Sequence, residues 1–160
     1  MEIIGIDPGL VQTGYGIINV RNNQTYLIDY GIIKPDPNDS LSNRLFTIYN
    51  DVCNIASRYK PHIFAIEEVF YGKNVKSAMR LGQARGAAMV AAASKGITIY
   101  EYSARKVKQS ITGNGNAHKS QIQFMVKAKL NMDHNPEPID AADALAIALC
   151  HDHQFKLADQ

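Results

Sequence analysis

The chain opens on a short apolar run, Ile3-Ile4-Gly5-Ile6, that stops at Asp7-Pro8-Gly9. A run of this length closed by a turn tripeptide predicts a buried strand. Gly14 to Val20 alternates weakly and predicts a second strand. The polar turn Arg21-Asn22-Asn23-Gln24 leads into a third, Thr25 to Ile33, expected antiparallel to the second. Lys34 to Ser40, with Pro35 and Pro37, predicts a loop. Leu41, Leu45, Ile48, Val52, Ile55 and Tyr59 then recur at spacings of three and four, the period of one helix face. Ser40 is placed to cap that helix, and Lys60-Pro61 to stop it.

The second half alternates between the two patterns. Ile63 to Ile66 predicts a buried strand with Glu67 at its end. Val75 to Ser94 is an Ala-rich helix containing Gly82-x-x-x-Gly86, and Ile97 to Tyr102 is a strand. Ser103 caps a short helix, Ala104 to Ile111, followed by the flexible loop Gly113-Asn114-Gly115. Lys119 to Leu130 predicts a helix with Ile122, Met125, Val126 and Leu130 on one face. Pro136 and Pro138 break the chain ahead of a final Ala-rich helix, Ile139 to Cys150, with a short tail from about residue 151. A three-strand meander followed by helical crossovers implies an α/β fold: a mixed five-stranded sheet with helices on both faces. No repeat or linker divides the 160 residues, so residues 1–160 are read as a single domain.

Composition narrows the classes. Hydrophobic residues make up 46% of the chain, enough for a core, yet no apolar run reaches the ~18 residues that cross a bilayer. The start, Met1-Glu2-Ile3-Ile4, lacks the basic and small-residue features of an export signal. The expectation is a soluble cytoplasmic protein with no membrane partner. Cys53 and Cys150 sit in apolar helical patterns, outside any CxxC pair, and are read as small buried hydrophobes.

Charge changes the picture more. Between Tyr71 and Leu130 stand eleven bases and one acid, Glu101. That stretch is +10 in a chain whose formal charge is +2, so the remainder is −8. Such asymmetry points to a polyanionic partner, with solvated lysine-bearing helix faces as the bland alternative.

Four carboxylates stand at predicted element ends. Asp7 closes one apolar strand and Glu67 another, where an ionised group is expensive without compensation. Asp140 and Asp143, three apart near the start of the last helix, share a face among Ala141, Ala142, Ala144, Ala146 and Ala148. Magnesium takes such oxygen ligands, and two ions about 3.5–4 Å apart serve in-line displacement at phosphorus. Each residue also has a structural reading. Asp7 could start a turn, and Asp140 could satisfy the helix dipole. Glu67 and Glu68 are adjacent and only one can face inward; Glu67 directly follows the apolar run and is preferred. His151-Asp152-His153 has metal-ligand chemistry but no partner ligand, so a solvated tail is expected there.

Read together, these segments resemble the RuvC family of Holliday junction resolvases. The matching pieces are Gly5-Ile-Asp-Pro-Gly9, Thr13-Gly-Tyr-Gly16, Phe64-Ala-Ile-Glu67 with Val69-Phe70, Lys73-Asn74, Leu81-Gly-Gln-Ala-Arg-Gly86, Val107-Lys-Gln109, Lys119-Ser-Gln121 and Asp140-Ala-Ala-Asp-Ala-Leu-Ala-Ile147. They run from Met1 to about Cys150. The resemblance implies a ribonuclease H-like fold, with Asp7, Glu67, Asp140 and Asp143 as catalytic, metal-holding carboxylates. It implies magnesium, two ions per active site, with manganese as a substitute. It places a junction-contacting aromatic at Phe70 and DNA-contacting lysines at Lys108 and Lys119. A core phenylalanine is the alternative reading of Phe70. The implied activity is paired nicking of opposing strands of a four-way junction in recombination and repair, leaving 5′-phosphate ends. The implied partners are a second copy of the chain and the branch-migration proteins RuvA and RuvB.

Three rivals remain on residue grounds. Asp7-Pro8-Gly9 with Thr13-Gly14 looks like the first phosphate loop of an actin-type ATPase lobe, although 160 residues hold only one lobe. A non-catalytic DNA-binding module would carry the same bases. A ribonuclease H-like nuclease on other substrates would carry the same acids.

Overall fold

The computed structural model describes residues 1–68, 72 and 74–158. Three strands come first: β1 (Glu2–Asp7), β2 (Thr13–Arg21) and β3 (Gln24–Ile33). Helix α1 (Leu41–Tyr59) follows, with Ser40 capping it by accepting from the Asn43 N–H and Lys60 ending it in the left-handed conformation. Then come β4 (Ile63–Glu67), α2 (Val75–Ser94), β5 (Thr98–Tyr102), α3 (Ala104–Thr112), α4 (Lys119–Lys129) and α5 (Ile139–Ala158). The sheet order is β3-β2-β1-β4-β5. The first three strands form an antiparallel meander, and β4 and β5 run parallel to β1. This is the mixed five-stranded sheet that the pattern predicts.

Strand alternation sorts the core into two layers. Ile4, Ile6, Ile17, Phe64 and Ile66 face α1 and α2, packing on Ile48, Val52, Ala84, Ala88, Ala91 and Ala92. Ile3, Ile18 and Ala65 face the other way, onto Val107, Ile111, Ile122, Val126, Leu145 and Ile147 of α3, α4 and α5. Since successive residues of a strand point to opposite faces, Asp7 shares the α5 side with Ile3 and Gly5. Glu67 shares it with Ala65; Glu68 lies beyond the end of β4 and is exposed.

The middle of α5, from Ala141 to Asp152, is buried at every position but Asp143, as its largely apolar sequence requires. It lies unusually close to the sheet. A β-carbon on Gly5 would sit 2.0 Å from the Ala144 carbonyl oxygen, and one on Gly14 2.0 Å from that of Asp140. The small residues of α5 and the glycines of β1 and β2 together remove the side-chain layer that normally separates helix from strand.

One expectation is corrected. Helix α5 does not end at Cys150 before a solvated tail; it continues to Ala158, and His151 and Asp152 are buried. His151 Nδ1 bonds to the Tyr102 hydroxyl at 2.8 Å, with the Tyr100 ring 4.6 Å from its own. Asp152 accepts from the Thr25 hydroxyl at 2.7 Å and from Lys156 at 2.8 Å. Aromatic and hydrogen-bonding partners on β3 and β5 make these polar residues part of the fold, which composition alone could not reveal. Both cysteines are free, Cys150 buried and Cys53 half-buried. Among the described residues, no helix is long and apolar enough to cross a membrane.

Candidate active site

Two adjacent parallel strands deliver the first pair of carboxylates. In the β1–β4 ladder Ile6 pairs with Ile66, so Asp7 and Glu67 leave the sheet side by side, one residue later. The first turn of α5 brings in the second pair. Because Gly14 is the ladder partner of Asp7 and also touches the Asp140 backbone, the start of α5 is held directly over the end of β1. One carboxylate oxygen from each of Asp7, Asp140 and Asp143 lies within 4.8 Å of the others. Among the described residues this is the group with the ligand types and spacing to hold a metal ion.

Glu67 stands beside that trio. With Asp7 and Asp143 it lines a cleft of about 220 Å³ walled by Val107, Ile122, Ala146 and Ile147. Lys108 and Lys119 line the same cleft. Lys119 Nζ bonds to Asp143 Oδ2 at 3.1 Å, so this lysine, 64% exposed, already faces the acids. Phe70 and Lys73 lie outside the described residues.

The electrostatics are those of a site short of positive charge. Burial, reinforced by Asp143, Glu67 and Asp140, pushes the Asp7 carboxyl up to about 8. Burial and Asp143 also raise Glu67, against the pull of Lys119 and Lys108. Burial raises Asp143 despite its bond to Lys119. Packed carboxylates resist ionising together, because each added charge pays for both desolvation and repulsion. A divalent cation removes both penalties at once, and an all-oxygen set matches a hard ion. The donor chemistry and the spacing therefore fit such an ion.

Sequence reasoning missed two contacts. The Gln12 carboxamide donates from Nε2 to Asp140 Oδ2, across 128 residues of sequence. Arg85, counted above among the bases available to a polyanion, is instead committed to the protein. Its Nε donates to the Glu67 carbonyl at 3.0 Å, it is ion-paired to Glu101, and its side chain is only 15% exposed. Nothing in the spacing of Gln12 or Arg85 announces these partners, although Arg85 falls in one of the segments quoted for the resemblance.

A β3-β2-β1-β4-β5 sheet whose central strands and last helix converge on clustered carboxylates defines a ribonuclease H-like nuclease with an acidic site for a divalent metal. Residues 3–151 match the family model described as "Crossover junction endodeoxyribonuclease RuvC". The chain belongs to the RuvC family and is an endodeoxyribonuclease of that kind. It is 43% identical over 160 residues to the crossover junction endodeoxyribonuclease RuvC of Caldanaerobacter subterraneus subsp. tengcongensis, covering 100% of this chain and 97% of that one. It is 52% identical over 151 residues to that of Pseudoalteromonas atlantica, covering 94% and 86%. The structure of Thermus thermophilus RuvC in complex with Holliday junction substrate superposes with a TM-score of 0.89 at 31% identity, covering 98% of this chain and 96% of that one.

Proposed function

We propose that this chain resolves four-way DNA junctions by metal-dependent hydrolysis, nicking opposing strands and leaving 5′-phosphate and 3′-hydroxyl ends. The observation that carries the reading is the convergence of Asp7, Asp140 and Asp143 within 4.8 Å, in a cleft shared with Glu67, Lys108 and Lys119. Asp7, Glu67, Asp140 and Asp143 are the catalytic residues and would hold magnesium, two ions per site, with manganese as a substitute. The bound metal would supply Lewis-acid stabilisation of the charge that develops at phosphorus and would activate water. The protein's own part is to keep four carboxylates in fixed positions on rigid elements and to admit one phosphodiester. Lys108 and Lys119 add positive charge on the side of the cleft where phosphate must enter. The apolar wall of Val107, Ile122 and Ile147 lowers the polarity on one side of the cleft, which strengthens charge interactions beside it.

Family membership supports the remaining roles in this reading. Phe70 contacts the junction as an unpaired-base stacking platform. Two copies act together, since a junction presents two strands to cut. A face of α2 supports pairing: Met79 and Val90 are 62% and 60% exposed, and among the described residues a β-carbon placed on Gly82 or Gly86 meets no atom of another segment within 4 Å. RuvA and RuvB are the branch-migration partners, residues 1–160 act as one nuclease domain, and the site of action is the cytoplasm.

The test is a cleavage assay on a four-way junction and on linear duplex of the same sequence, with magnesium and with EDTA. Paired nicks in the junction alone, dependent on magnesium and sealable by ligase, are expected. Equal cutting of duplex or of an RNA–DNA hybrid would overturn the junction assignment, and cutting in EDTA would overturn the metal.

A further inference from the structure

Gln12 lies outside every segment quoted for the family resemblance, yet its carboxamide grips a member of the acidic trio. The loop that carries it is braced by three hydrogen bonds. The Thr13 hydroxyl donates to the Gly9 carbonyl at 2.8 Å, and the Gly9 N–H donates back to that hydroxyl oxygen at 3.2 Å. Arg44, from α1, donates through Nη2 to the Leu10 carbonyl at 2.9 Å. The turn is tight enough that a β-carbon on Gly9 would sit 2.3 Å from the Gln12 carbonyl oxygen. Gln12 is therefore presented by a fixed support.

Asp140 needs such a support. It is in the first turn of α5, directly after the segment containing Pro136 and Pro138, and a free aspartate side chain can occupy more than one staggered rotamer. Asp143 is held by Lys119, whose positive charge competes with any incoming cation. A neutral amide orients a carboxylate by hydrogen bonding without that competition. It holds one oxygen and leaves the other for the metal, as partners of metal-bound carboxylates do.

We propose that Gln12 is a positioning residue for Asp140, fixing its carboxylate for the divalent cation shared with Asp7 and Asp143. The proposal rests on reading the trio as a metal site, and its test separates the two. Gln12→Met keeps the length of the side chain and removes the donor; Gln12→Ala removes both. Manganese binding to the whole protein is followed by the loss of the free-ion EPR signal, alongside metal-free melting temperature, junction affinity in EDTA, and cleavage as a function of magnesium. Both variants are expected to bind manganese about tenfold more weakly. The half-saturating magnesium should rise correspondingly, with kcat at saturating metal, metal-free melting and junction affinity unchanged. Absence of saturable manganese binding in the unsubstituted protein would overturn the metal reading itself. Saturable binding that Gln12→Met leaves unchanged would overturn only the role of Gln12. A variant whose metal-free melting falls in step with its affinity would make Gln12 a brace of the fold, and would equally overturn the proposal.

Discussion

Gly14 and Asp140 meet backbone to backbone: the α-carbon of Gly14 faces the Asp140 carbonyl so closely that a β-carbon would lie 2.0 Å from its oxygen. Gly14 is also the ladder partner of Asp7. A single residue thus sets the distance between the end of β1 and the start of α5, the two elements that bring Asp7 and Asp140 together. Gly14→Ala should push α5 off the sheet and spread the carboxylates. Overpacking of this kind costs about 1–3 kcal/mol, or several degrees in Tm for a chain of this size. Cleavage should fall far more than stability does. Thermal melting and junction cleavage on the same preparation test this, and normal cleavage would mean that the site tolerates the displacement.

Asp7→Asn keeps the size of the side chain and removes its charge. Junction cleavage should be nearly abolished, while gel-shift affinity in calcium survives, because binding draws on the basic residues. Stability should report the same group. The folded-state value of about 8 lies above the ordinary 3.8. The folded protein therefore holds a proton that the unfolded chain releases, and metal-free stability should fall as pH rises from about 4 through about 8. Glu67 and Asp143, raised in the same direction, add to that slope. Asp7→Asn should flatten it. A saturating divalent cation should reverse it, since the ion replaces the proton. Melting curves across that pH range, with EDTA and with magnesium, decide the matter.

Lys119 faces Asp143 and solvent at once. Lys119→Ala should weaken junction binding and lower the salt slope of log affinity by about one, as loss of one phosphate contact does. Cleavage should suffer more than binding, because the hydrogen bond and charge that hold Asp143 down are lost with it. An unchanged slope would confine Lys119 to the acids.

Deleting residues 151–158 removes the buried His151 and Asp152 and their bonds to the half-buried Tyr102 and Thr25 hydroxyls. Each hydrogen bond lost in this way contributes about 0.5–1.5 kcal/mol, and the packing of the His151 ring on Tyr100 is lost with them. The truncated protein should melt several degrees lower and still cut junctions at a temperature where it stays folded. Melting identical to the whole chain would return these residues to the status of a tail.

The sequence by itself determined most of the architecture. Apolar period and turn chemistry place β1 at Ile3–Ile6, cap α1 at Ser40 and end it at Lys60-Pro61, because these signals are local and depend on neighbours a few residues away. It also determined the identity of the candidate carboxylates: charged groups closing apolar strands at Asp7 and Glu67 stand out from their surroundings. Only the tertiary structure decided the rest. Gln12 meets Asp140 across 128 residues, and Arg85 turns from a free base into a strut at the end of β4. His151 and Asp152, polar in sequence, become interior because Tyr102 and Thr25 arrive from other strands. A side chain's partner is fixed by packing geometry between distant segments, and the character of the residue alone leaves that geometry open.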